Sequence, residues 1–256
     1  MDQNVAHPKS LYLYDMTWPE VKAALPDIKV AIIPTGSTEQ HGPHGTFEVD
    51  SARAREFAKR LAQRVYPHAL VTPCVTFGIS GHHMHFPGTI SLRAETFIQV
   101  LMDIVWSLYQ HGIRRFFFIN GHGGNKPALT IVVNRIRQEM DAKAAWASPT
   151  SVADDVIKQR VKSPMIGHAC ESEMSQCLYL CHETVRTEYL TKGEIYDEAL
   201  AKHLSAVPVE EGRFWEEITA NGALGDASQA NVELGQVAIE TALDRLTAFL
   251  VNFMNS

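Results

Sequence analysis

The stretch KVAIIPTGSTEQHGPHGTFEVDSARAREFAKRL, residues 29 to 61, decides the fold. After Lys29, residues 30 to 34 form an apolar run with three β-branched side chains, the signature of a buried strand, and residues 50 to 65 repeat apolar positions at helical spacing. Between them lies a connection rich in glycine and polar residues, with Glu39, His41, His44, Glu48 and Asp50. Asp50 stands where a helix N-cap is expected.

The same logic recurs twice. ALVTPCVTFG reads as a strand, GISGHHMHFPGT as a loop, and residues 94 to 112 as a helix closed by Gly112. RRFFFIN then reads as a strand, GHGGNKP as a turn, and residues 128 to 140 as a helix. Strands alternating with amphipathic helices give an α/β fold on a mainly parallel sheet. KAAWASPTSV is a candidate fourth strand, ESEMSQCLYLCHETV a helix, and residues 231 to 254 a long final helix. Residues 185 to 230 carry too many breakers and charges for a definite form. With no repeat, low-complexity tract or linker, a single domain over residues 1 to 256 is expected.

Composition narrows the function. The net charge of −6 has no basic stripe beside it, so nucleic acid is not an expected partner. The N-terminus lacks a signal-peptide pattern and no apolar run is long enough to span a bilayer, which predicts a cytoplasmic chain with no membrane partner. Cys74, Cys170, Cys177 and Cys181 show no CxxC pairing and read as reduced core thiols.

Chemistry concentrates at the strand ends, where open α/β sheets bind ligands. His41, His44, His82, His83, His85, His122 and His168 all lie in or beside such loops. Glu39 and His41 point the same way on an extended backbone, and Asp50 can fold back toward them. Two carboxylates and an imidazole suit one or two Zn²⁺, Mn²⁺ or Fe²⁺ ions; the alternative is a solvated loop with an Asp N-cap. In NGHGGN (120 to 125), His122 follows a strand and Gly123 and Gly124 admit a ligand close to the backbone. The absence of P-loop and GxGxxG spacing weighs against a nucleotide site. In GHACESE, His168 and Glu171 are three apart and can share a helix face, while Glu173 points elsewhere; taken alone, the motif reads as an ordinary acidic helix start with a histidine beside it.

Together, GSTEQHGPHGTFEVD (36 to 50), HFPGTISL (85 to 92), NGHGGN and GHACESEMS (167 to 175) resemble the creatininase (creatinine amidohydrolase) family of binuclear metal amidohydrolases. The resemblance implies a three-layer α/β/α fold, with Glu39 and His122 on one metal, His41 on the other, Asp50 bridging and His168 catalytic. It implies an amidohydrolase that cleaves a small cyclic or related amide, using one or two Zn²⁺ or Mn²⁺ ions per chain, with Fe²⁺ as a further option. Creatininase proper carries a glutamate ligand where this chain has Gly124; Glu171 is the expected replacement and Glu173 the second choice. The tryptophan and aspartate that precede its catalytic histidine are replaced by residues 163 to 167, SPMIG, so the creatinine lid is absent. His85 matches creatininase proper and is assigned, with Gly123 and Gly124, to substrate. The family also contains enzymes that deformylate formamides or cleave modified peptides, and its members are oligomers, commonly hexamers. A non-catalytic metal-binding assembly protein is the reading from another class; His168 beside the ligands favours the enzyme.

Overall fold

A computed structural model describes residues 11–197 and 211–256. The opening run forms β2 (Val30–Thr35), buried along its whole length, preceded by β1 (Leu11–Tyr12) and α1 (Trp18–Ala24). The chain continues through α2 (Val49–Arg64), β3 (Ala69–Val71), α3 (Ala94–Gln110), β4 (Arg115–Asn120), α4 (Lys126–Glu139) and β5 (Lys143–Ala147). The five strands are parallel in the order β1-β3-β2-β4-β5. Then follow the short helices α5 (Pro149–Val152) and α6 (Asp154–Lys158), α7 (Glu171–Leu180) and the long α8 (Val232–Asn255).

Side-chain alternation splits each central strand between two cores. Val30, Ile32, Phe117 and Ile119 face α2 and α8, and Ala31, Ile33, Phe116 and Phe118 face α3 and α4. Helices on both faces give the three-layer α/β/α arrangement. All four cysteines are free thiols, three of them buried. No helix among the described residues is long and apolar enough to cross a membrane.

Several sequence boundaries shift. Helix α2 begins at Val49 with Glu48 at the N-cap, and Asp50 lies in the first turn, where its carboxylate is free to face inward. Only residues 69–71 of the second strand pair continuously; Pro73 has no N–H to donate, and the chain regains the sheet in a single bridge between Val75 and Thr35. The candidate fourth strand stops at Ala147, because Pro149 fits the first turn of α5. Helix α7 ends at Leu180, ahead of Cys181 at φ −153°. Residues 185–197 and 211–230 are 3₁₀ turns and isolated bridges. Residues 198–210 of that uncertain stretch lie outside the described chain. Asn231 caps α8 by accepting a hydrogen bond from Leu234 N–H, and Gly112 closes α3 at φ +92°.

Strand order fixes where a site can form. From β2 the chain moves to β3 on one side and from β3 it crosses to β4 on the other, so the order reverses between β2 and β4 and opens a crevice at their carboxyl ends. Glycines let α2 start directly over that crevice. A Cβ on Gly36 would lie 2.5 Å from Ser51 Cα, and one on Gly121 would strike the Asp50 carbonyl. Gly121→Ala is therefore expected to cost about 1–3 kcal/mol by overpacking, measured by denaturant unfolding, and to loosen the position of Asp50.

Candidate metal centre

The β2–α2 connection, the turn after β4 and the start of α7 converge over the crevice. Asp50 sits between two imidazoles: Oδ1 is 3.3 Å from His41 Nε2, and Oδ2 is 3.2 Å from His122 Nδ1. On the His122 side, Glu39 Oε1 lies 3.1 Å from Nδ1. On the His41 side, Glu173 Oε2 lies 3.8 Å from Nε2. All five side chains are largely buried.

The outer nitrogen of each imidazole is committed. His41 Nδ1–H donates to the Glu39 carbonyl at 3.1 Å, and His122 Nε2–H to the Ile79 carbonyl at 2.9 Å. A carbonyl can only accept, so each ring turns its remaining lone pair inward, as in metal-ligating histidines. His41 Nε2 and Asp50 Oδ2 are buried with no hydrogen-bond partner among the described residues. Three carboxylates, Glu39, Asp50 and Glu173, share the cluster with one fixed cation, Arg53, whose Nη2 is 2.7 Å from Glu173 Oε1 and 3.4 Å from Asp50 Oδ1. Negative charge in excess, orphaned donors and mixed N/O chemistry fit a divalent transition metal.

Supporting contacts hold the donors. Ser80 donates to Glu39 Oε2 at 2.5 Å and is itself paired with Ser37. Gln40 Nε2–H donates to His83 Nδ1 at 2.8 Å, which places the His83 proton on Nε2, 3.6 Å from Glu39 Oε1. His168 donates from Nε2 to the Gln40 carbonyl at 2.7 Å, leaving its Nδ1 lone pair 3.6 Å from Glu39 Oε1.

Without metal, His41 and His122 hold protons against burial. Burial opposes charge on His41, but Asp50 outweighs it and lifts the imidazole to about 9. Glu39 lifts His122 in the same way. Burial likewise opposes charge on Glu39 and Asp50, yet His122 and His41 respectively hold them below the ordinary carboxylate range. Burial lowers His168, with His41 adding to the effect, and drops His83 to about 2, so both rings are neutral at neutral pH.

A pocket of about 310 Å³ opens above the cluster, lined by Glu39, Asp50, His82, His83, His122, Gly123, Gly124, Gly167, His168, Glu173 and Trp215. Glu39, His41, Asp50, His122 and His168 come together, as do Gly123 and Gly124. Glu171 does not join them and the expectation for it is corrected. Its oxygens accept the N–H groups of Lys162 (2.9 Å) and Ser163 (2.7 Å). The shared helix face that would have brought it to His168 does not exist, because α7 starts only at Glu171 and Ala169 stands at φ +51°. Glu173, at the third helical position, faces His41 instead. His85 stands apart from the cluster: its side chain is 55% exposed, pairs with Glu216 and lies outside the pocket wall. His44 serves the backbone, donating from Nε2 to the Ala169 carbonyl at 2.8 Å, and Glu48 pairs with Arg55 at the surface.

Sequence reasoning missed Arg53, Ser80 and Trp215, and gave His82 and His83 no role. The HH pair in a strand-end loop was the available signal for the last two. Trp215 donates to the Gly222 carbonyl at 2.8 Å and sets its ring 4.7 Å from that of His83.

The sequence profile of the creatininase family, described as creatinine amidohydrolase, matches residues 14–250. A mycofactocin precursor peptide peptidase from Mycobacterium ulcerans is 33% identical over 184 residues, 69% of this chain and 64% of that protein. The chain thus spans under two thirds of that relative's length. Creatinine amidohydrolase from Pseudomonas putida is 30% identical over 254 residues, covering 92% of this chain and 94% of that one. Among solved structures, creatinine amidohydrolase (creatininase) superposes at TM-score 0.79 with 26% identity, over 97% and 99% of the two chains. Creatininases described as Zn-Zn type and Mn superpose at 0.80 and 0.79, each with 26% identity over 97% of this chain and 100% of the other.

The titrations set a window for the metal-free protein. His41, raised from 6.5 to about 9, contributes stability that is complete below 6.5 and fades as pH climbs through about 9. Glu39, lowered from 4.5, contributes above that value and loses it as pH falls. Chelator-treated protein should melt highest between these limits and lose Tm from pH 6.5 to 9 in a fluorimetry series, while added Zn²⁺ should stabilise it increasingly over the same range as it displaces protons. A Tm that stays level to pH 9 without metal would contradict the pairing. With the profile matched over residues 14–250, a relative 30% identical over 92% of the chain and the shared fold, the chain belongs to the creatininase (creatinine amidohydrolase) family.

Proposed function

We propose that this chain is a single-domain, divalent-metal hydrolase that cleaves a carbon–nitrogen bond in a small amide, cyclic or open. One observation carries the reading: Asp50 offers its two oxygens to two different imidazoles whose outer nitrogens are already tied to carbonyls. In this reading Glu39 and His122 would hold one ion and His41 and Glu173 the other, with Asp50 shared between them. Zn²⁺ and Mn²⁺ suit this donor set, and both occur among the solved creatininases. When bound, such ions supply Lewis acidity that activates water and polarises a carbonyl.

The protein's own groups do the rest. His168 is neutral and presents its Nδ1 lone pair to the pocket, so it takes a proton from the attacking water and returns it to the leaving nitrogen. Arg53 keeps Glu173 and Asp50 ionised and in place. His83 orients Glu39, and Trp215 with His83 forms an angled aromatic wall for an unsaturated or apolar substrate group. Gly123 and Gly124 leave the floor open to a ligand.

The similarity to mycofactocin precursor peptide peptidases favours a short or modified peptide as the second reading. A panel of lactams, formamides and short peptides with added Mn²⁺ or Zn²⁺ separates the two, and no turnover on any member would point to a binding protein. Purified protein should carry one to two transition-metal ions per chain by elemental analysis. Asp50→Asn should lose both metal and turnover, by about 100-fold or more in activity. Full metal content in that variant would sink the bridging role.

A further inference from the structure

His82 enters the pocket from a loop that supplies none of the donors assigned above. It is half-buried and lines the cavity beside Gly123 and Gly124. One of its ring nitrogens, one oxygen of Glu39 and one nitrogen of His122 lie within 4.8 Å of one another. Two donors on one tetrahedral zinc ion sit about 3.3–3.5 Å apart at ordinary Zn–N lengths of about 2.0–2.1 Å. A small rotation of a half-buried side chain closes the difference. Its ring stacks on that of His122 at 5.8 Å and 12°, and meets those of His83 at 4.4 Å and Trp215 at 5.9 Å, so it is held facing the cluster.

Gly124 explains why the ring has this room. A Cβ at position 124 would strike the Ile79 carbonyl, approach His122 Nε2 to 2.5 Å and come within 3.1 Å of His82 Cε1. A side chain there and the His82 imidazole compete for one space. The missing side chain also leaves the Ile79 carbonyl free to accept the His122 proton.

We infer that His82 is a third protein ligand, beside Glu39 and His122, to the metal on that side of Asp50. The inference rests on the metal-centre reading of the preceding section. It makes the two sites unequal, with two imidazoles on the His122 side and one on the His41 side. The His122-side ion is then the one that His82 substitutions weaken.

The test compares His82→Ala and His82→Gln with wild type, each stripped and reloaded with Zn²⁺ or Co²⁺, so that a folding defect in one variant leaves the other readable. Chelator competition gives the affinity of each ion, Co²⁺ absorption reports its ligand field, and melting of the metal-free proteins checks the fold. Changes to groups behind the ligands cost about 10–100-fold in metal affinity, so loss of a direct ligand should cost one ion about 100-fold or more. The other ion should stay within a few-fold of wild type, the Co²⁺ spectrum should change, and His82→Glu should recover binding. Variants that bind both ions as wild type does, or lose less than about 10-fold with an unchanged spectrum, overturn the His82 assignment and leave the metal-centre reading standing. Wild-type protein that binds no ion overturns both.

Discussion

A carboxylate buried between two imidazoles is the constraint on which this molecule is organised. Asp50 is 1% exposed, and an ionised group so placed is costly unless positive charge reaches it. His41 and His122 stand on either side, and Arg53 closes the third. The histidines cannot drift, because backbone carbonyls of Glu39 and Ile79 hold their outer nitrogens. The centre is thus built by backbone geometry as much as by side chains. Any disturbance of the loops changes the direction of a lone pair.

The sheet makes that geometry possible. Reversal of strand order between β2 and β4 separates two loops that would otherwise pack against each other, and α2 is drawn down over the gap. Gly36 and Gly121 permit this approach, since any Cβ there would meet the first turn of the helix. Position 124 obeys the same rule for a different purpose. Its lack of a side chain admits the Ile79 carbonyl to His122 and leaves the pocket floor open.

Around the centre, neutral and charged histidines divide the work. Burial keeps His83 and His168 neutral, which fits one to orient a carboxylate and the other to accept a proton. His41 and His122, beside carboxylates, are instead drawn toward the charged state until something else supplies positive charge. Four rings and three carboxylates crowd a small space, and their different protonation follows from which partner each one faces.

Much of this was legible from the chain alone. Apolar runs followed by amphipathic ones dictate the layered α/β fold, because their periods differ and only one face of each helix can be buried. Glu39, His41, Asp50 and His122 were readable as candidates because each lies at or near a strand end. What the sequence could not supply was the exact start of α7. A helix beginning three residues after His168 turns Glu171 toward Lys162 and Ser163 and Glu173 toward His41, and that register depends on Ala169 adopting a left-handed conformation held by His44 and Glu173. Nor could spacing place Ser80, His82 or Trp215, which reach the site from segments distant in sequence from the β2–α2 connection. His85 shows the converse: a motif position close in sequence whose side chain turns outward to Glu216. Local pattern determines the elements and the loops that carry chemistry, whereas the direction of each side chain is decided only when distant segments pack together.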